Sequence, residues 1–160
     1  LVAPVSRVSL VVGRVLAGMT TGTMQGVIIL LISIGLGVRF GNLAGVAFSF
    51  IFILLISMAF VSLGIAFASR MKDMQGFQMI MNFLIMPVWL LSGAFFPLEG
   101  LPTYLAFLSA IDPLSYGVDG LRYSLIGISL YPWYVSALVL GAFSLVMIAL
   151  GAYLFKKIEA

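Results

Sequence analysis

The sequence predicts an all-α membrane protein: four transmembrane helices, with a pair of short helices between the third and the fourth. Three observations predict it. Hydrophobic residues make up 63% of the chain and charged residues 8%. A soluble domain carries roughly a quarter charged residues, so this chain has too few to cover a water-facing surface. Residues 15–38, 43–69 and 131–155 contain no Asp, Glu, Lys or Arg, and each run exceeds the ~20 residues a helix needs to cross a ~30 Å hydrocarbon core. The basic residues also cluster on one side of the bundle those runs form.

The strongest run is the second. Residues 46–68 hold fourteen Leu, Ile, Phe or Val, which favour insertion by on the order of 6 kcal/mol at most on the helix-centre scale. A fourth run, residues 74–93, is just long enough. It has fewer such residues and carries Gln75, Gln78 and Asn82, so it is the weakest span and needs help from its neighbours. With the N-terminal side inside the cell, Arg7, Arg14, Arg70, Lys72, Lys156 and Lys157 fall inside, and Arg39 and Arg122 outside. That satisfies the positive-inside rule. It places a tight cytoplasmic turn at residues 71–73, a tight external turn at residues 39–42, and the C-terminus of this multi-pass chain in the cytoplasm.

Residues 94–130 break the pattern. They hold Pro97, Pro102, Pro113, Glu99, Asp112, Asp119 and Arg122. Their longest apolar piece, residues 101–111, suits a re-entrant or interfacial segment, not a span. A fifth span here would also put Lys156 and Lys157 outside. The spacing predicts one short helix over residues 102–111, with Pro102 in its first turn. It predicts a second over residues 113–127, with Asp112 as N-cap and Pro113 at the first helical position. The pair dips into the outer leaflet, and Tyr131, Trp133 and Tyr134 follow it at the outer interface, where aromatic residues concentrate. Glu99 keeps the external loop wet.

Several kinds of chemistry are excluded. There is no cysteine and no histidine, which removes thiol chemistry, imidazole bases and the common zinc sites. The serines have no such base to activate them. No Gly-rich Lys-Ser/Thr phosphate loop is present. No span interior carries an ionisable group of the kind that ion-driven carriers use. The net charge of +3 is too small to argue for nucleic acid. Catalytic, metal and cofactor sites are therefore all expected to be absent.

What remains is polar patterning. Gln75, Gln78 and Asn82 are spaced i, i+3, i+7 and share one helical face. Such a stripe serves either as interhelical hydrogen-bond glue, at ~0.6 kcal/mol per contact, or as the polar side of a substrate path; glue is the commoner use. Thr20, Thr21, Thr23 and Gln25 crowd the first span, where Gly22-Thr-Met-Gln-Gly26 is a small-xxx-small seam for close helix packing, within or between subunits. Asp119 and Arg122, three apart on the second short helix, can pair as a solvated couple worth under ~1 kcal/mol. Residues 1–14 mix apolar residues with Pro4, Ser6, Arg7, Ser9 and Arg14. They read either as a segment lying on the inner membrane face or as a basic anchor at a helix end. The chain begins with Leu1, and further sequence is expected upstream.

The runs Leu91-Ser-Gly-Ala-Phe-Phe-Pro-Leu-Glu-Gly-Leu-Pro102 and Ile111-Asp-Pro-Leu-Ser-Tyr-Gly-Val-Asp-Gly-Leu-Arg122 resemble the signature region of ABC-2 type transporter permeases, the membrane subunits of ATP-driven exporters. Ala3-Pro-Val-Ser-Arg7 and Gly13-Arg14-Val15-Leu16-Ala17-Gly18 resemble that family's cytoplasmic loop entering its third span. The resemblance implies that residues 15–160 hold the last four of six spans, and that residues 1–14 are the remnant of a cytoplasmic coupling segment. It implies no cofactor bound directly, ATP being hydrolysed by partner ATP-binding cassette subunits. It implies a homo- or heterodimer of permeases in lipid. It also implies ATPase contacts at Pro4, Ser6, Arg7, Arg70, Lys72 and Asp73, and an external hairpin built on Pro97, Pro102, Asp112, Pro113, Asp119 and Arg122. The flavour is similar to daunorubicin-resistance-type drug efflux, with lipid-like or glycan-linked substrates equally in view. A secondary carrier or channel fragment, and a non-transporting scaffold, are the rival expectations.

Overall fold

The computed structural model describes residues 7–156 apart from 39, 72, 97, 99 and 101. Among those residues there are six helices and no strand: α1 (Arg7–Gly35), α2 (Leu43–Ala68), α3 (Met74–Leu91), α4 (Thr103–Ile111), α5 (Pro113–Ile126) and α6 (Trp133–Lys156). α1, α2, α3 and α6 are long and apolar enough to cross a membrane; α4 and α5 are not. This is the expected arrangement of four spans with a short helical pair before the last.

Local chemistry sets most boundaries. The Asn42 side chain accepts from the Gly45 N–H and starts α2. Asp73 starts α3 by accepting from Gln75 N (3.2 Å) and Gly76 N (2.9 Å). Asp112 starts α5 by accepting from Leu114 N at 2.9 Å, with Pro113 next in line. In each case a side-chain oxygen satisfies N–H groups that the first helical turn leaves without partners. α5 ends on Gly127, whose φ of 75° is left-handed and open to glycine without strain. Pro87 lies inside α3 and removes one rung of its hydrogen-bond ladder.

One boundary departs from expectation. The first span was expected from residue 15, after a separate segment, but α1 runs unbroken back to Arg7. The cause is burial. Val11 and Val15, one turn apart, are 1% and 2% exposed, and Val11 reaches the level of Gly151 on α6. Tertiary contact extends the helix where hydropathy alone does not. Residues 1–6, with Pro4 and Ser6, lie outside the described residues.

α2 is the centre of the bundle. Phe52 and Ala59 on α2 and Leu140 on α6 form its buried core, with Phe48, Leu55, Ile56 and Tyr116 packed around them. α1 approaches closely because its glycines leave room. A Cβ at Gly18 would stand 2.5 Å from Val61, at Gly22 2.7 Å from the Ser57 hydroxyl, and at Gly26 2.8 Å from Ile53. The Gly22–Gly26 seam therefore packs inside this chain, α1 against α2 running the opposite way. α6 runs parallel to α2: Trp133 meets Phe48 at one end (ring centroids 5.5 Å) and Gly151 lies against Ala66 near the other. The buried serines in these seams are small, and several close on their own helix. Ser62 donates to Met58 O and Ser144 to Leu140 O. Between helices in lipid, such close packing replaces the hydrophobic drive that water would supply.

Candidate functional site

The α4–α5 hairpin is clamped to the bundle by polar groups at three points. At its joint, Ser109 Oγ donates to the carbonyl of Leu91, the last residue of α3, at 2.9 Å. Ser115 Oγ lies 3.2 Å from the same carbonyl, 3.1 Å from Ser109 Oγ and 3.3 Å from the Asp112 carboxylate. Its single proton serves one of these at a time. At its exit, the Asp119 carboxylate accepts from Leu130 N (2.7 Å) and Tyr131 N (3.1 Å), tying α5 to the chain entering α6. On its flank, Arg122 Nη2 donates to Gly93 O at 2.8 Å, just beyond α3.

This corrects the expected Asp119–Arg122 pair. Among the described residues no ion pair joins them, and Asp119 is 4% exposed, not solvated. Each reaches backbone groups far away in sequence. A buried carboxylate is better satisfied by two fixed N–H donors than by a flexible side chain on the same helix surface. The two residues also border a small cavity of about 170 Å³ with Ser92, Ser115 and Ser129, its walls completed by apolar side chains. Pro97, Glu99 and Leu101 lie outside the described residues. Pro102 stands at the N-cap of α4, one residue before the helical turn in which it was expected.

α5 lies against α2 through glycines. A Cβ at Gly117 would stand 2.6 Å from Ile56, and one at Gly120 would enter the Phe52 ring. The Ser124 carbonyl faces Gly45. α5 therefore runs alongside α2 in the reverse direction, so its N-terminal joint lies well away from the end of the bundle where α2 begins.

α3 is different. It has no buried residue. Gln75, Gln78 and Asn82 are exposed, and among the described residues none makes an interhelical hydrogen bond. The opposite side of α3 is apolar: Leu84, Pro87, Val88 and Leu91 face a groove shared with α2, α6 and the hairpin joint. At 3.6 residues per turn the two sets lie on roughly opposite faces. The polar strip is therefore directed away from the chain's own bundle.

Of the remaining expected residues, the described ones, Arg7, Arg70 and Asp73, lie on elements that meet at one end. α1 and α2 are antiparallel, while Val11, Ala66 and Gly151 meet at one level. The start of α1, the α2–α3 turn with Arg70 and Asp73, and the end of α6 therefore share a side. Arg70 is exposed at this end; Lys72 lies outside the described residues. Sequence reasoning missed Ser109, Ser115, Gly117 and Gly120. The serines flank Asp112-Pro113 and the glycines follow it, a pattern that marks a tightly packed helix start once the joint is recognised.

A family model described as ABC-2 type transporter matches residues 1–126. Over 132 residues the chain is 28% identical to proteins named "Inner membrane transport permease YadH" from Escherichia coli K12, Escherichia coli O157:H7 and Shigella flexneri. The match covers 82% of this chain and 51% of each relative. The chain thus spans about half the length of the curated relatives it matches.

Proposed function

Because the chain belongs to the ABC-2 type transporter family, we propose that its four spans form part of a permease that moves an amphipathic substrate outward, with ATP hydrolysed by partner subunits. The observation that carries this reading is α3. It stands outside the packed bundle and presents a polar strip, Gln75, Gln78 and Asn82, that none of the described residues covers. Amide side chains facing hydrocarbon are costly, so in the assembled protein another protein surface or a wet path meets them. A second permease copy, homo- or heterodimeric, provides that surface, and the substrate path runs along it. Predominantly apolar spans with one amide strip suit a drug-like, lipid-like or glycan-linked molecule better than a bare ion.

The architecture also supplies a route for coupling. α3 is held mainly at its ends. Its lower end is the short turn capped by Asp73, on the side proposed as cytoplasmic. Its upper end is the Leu91 carbonyl gripped by Ser109 and the Gly93 carbonyl gripped by Arg122. Motion delivered to the turn by an ATPase passes along α3 to the external hairpin. The start of α1 and the α2–α3 turn are the proposed ATPase contacts, with Asp73 setting the geometry of the turn.

The test uses the full-length permease with its ATPase, reconstituted in vesicles. Substrate-stimulated ATP hydrolysis and outward flux are expected, both lost without the ATPase. Flux that survives removal of the ATPase and collapses with an ion gradient identifies a secondary carrier. Stable assembly with no flux identifies a scaffold. Either result overturns the reading.

A further inference from the structure

The hairpin fills only part of the depth beside α2, and the space beneath its joint has its own character. α5 follows α2 from Gly45 to Ile56, and the joint at Asp112 and Pro113 shares a groove wall with Phe60 and Leu63. From Leu43 to Phe60 is about 25 Å of helix; from Phe60 to Arg70 is about 15 Å more. That remainder is close to half of a ~30 Å hydrocarbon core, the depth of one leaflet.

The groove there has a volume of about 750 Å³ between α2, α3 and α6. Its walls are Phe, Leu, Ile, Val, Met, Ala and Pro side chains, with Asp112 at the hairpin end and Arg70 at the other. An apolar space of this size offers water too few partners, and leaving it empty forfeits contacts along every wall. Hydrocarbon suits it better than either. At its mouth Arg70 is exposed, and among the described residues no carboxylate pairs with it. Asp73, the nearest acid in sequence, is engaged with the N–H groups of Gln75 and Gly76. A cation at the mouth of a leaflet-deep apolar slot complements a lipid with a negative headgroup.

We propose that the groove holds one acyl chain of an anionic phospholipid from the leaflet on the Arg70 side. The phosphate sits at Arg70, and the chain ends beneath the Asp112–Pro113 joint. An acyl chain gains little on moving from bilayer to groove, so the headgroup sets the selectivity. The orientation proposed above enters only in naming that leaflet the cytoplasmic one.

The test uses the full-length permease, purified in mild detergent without its ATPase so that the turn carrying Arg70 is uncovered, and titrated with phosphatidylglycerol or phosphatidylcholine. Retained lipid is counted by native mass spectrometry. One phosphatidylglycerol per permease chain is expected, held about fivefold more strongly than phosphatidylcholine, the preference that one interfacial cation provides. Arg70→Gln brings phosphatidylglycerol down to the phosphatidylcholine level, whereas Arg70→Lys keeps the preference. Val88→Trp, on the groove face of a helix with no buried residue, fills the slot and removes both lipids. Equal retention of the two lipids, loss in Arg70→Lys as complete as in Arg70→Gln, or retention undiminished by Val88→Trp overturns the proposal. So does a disulfide between Val88→Cys chains, which places a second copy in the groove. These readouts do not depend on transport, so they stand or fall apart from the proposed function.

Discussion

α2 and α3 are neighbours in sequence, joined by a short turn, yet they are held in opposite ways. α2 is wrapped on several sides: the α1 glycines, the α5 glycines and the parallel run of α6 all close on it, and Phe52 and Ala59 are fully buried. α3 buries nothing and is held mainly through its ends. Both are apolar enough to cross the membrane, so the ability to span does not separate them. What separates them is the distribution of small residues. Where glycine and serine line a face, backbones close and a rigid body forms. Where Gln, Asn, Phe and Met line it, the helix is left to meet something else. The molecule teaches that a membrane bundle can contain a fixed core and a loosely attached lever, and that side-chain size along each face decides which is which.

The comparison can be broken by substitution, and the largest effect is expected in the core. Gly120→Leu drives a side chain into the Phe52 ring, which is fully enclosed and has nowhere to go. Over-packing of this kind costs about 3 kcal/mol, read as a lower midpoint when the purified protein is unfolded with denaturing detergent. Phe52→Ala in the same chain should recover part of the loss. Asp119→Ala comes next. It strips the Leu130 and Tyr131 N–H groups of their buried acceptor, for about 2 kcal/mol, with faster proteolysis between α5 and α6 as a second readout. Ser109→Ala removes one donor to Leu91 O and costs about 1 kcal/mol; amide exchange near the end of α3 should rise while α2 stays protected. Gln78→Leu sharpens the contrast most. It changes the unfolding midpoint by less than about 0.5 kcal/mol, yet lowers substrate-stimulated ATP hydrolysis in the assembled transporter. An unfolding penalty for Gln78→Leu as large as that for Gly120→Leu would abolish the distinction between core and lever.

The sequence revealed what depends on local chemistry. Charge-free runs located the spans, and Asp112-Pro113 located the joint of the hairpin, because caps and prolines act over one helical turn. It did not reveal what depends on contact. Nothing local to residues 7–14 announces that Val11 packs at the level of Gly151 and carries α1 back to Arg7. The i, i+3 rule suggested an Asp119–Arg122 pair because it sees only one helix; the true partners are 11 and 29 residues away. The Gly22–Gly26 seam was visible as a seam, but its partner, α2, was not. The Gln75–Asn82 stripe was visible as a face, while its being uncovered follows from how the other helices choose α2.

Pro87 gives the lever a property of its own. It lies one turn below Leu91, the residue pinned by the hairpin serines, and thirteen residues above Met74. The helix is therefore divided into a short anchored stub and an arm about 20 Å long. A proline kink of about 20° at that point carries the far end of the arm roughly 7 Å sideways, more than the pitch of one helical turn. A small change of bend near the hairpin thus becomes a large displacement at the opposite end, and a displacement imposed at that end would reach the hairpin as a small one.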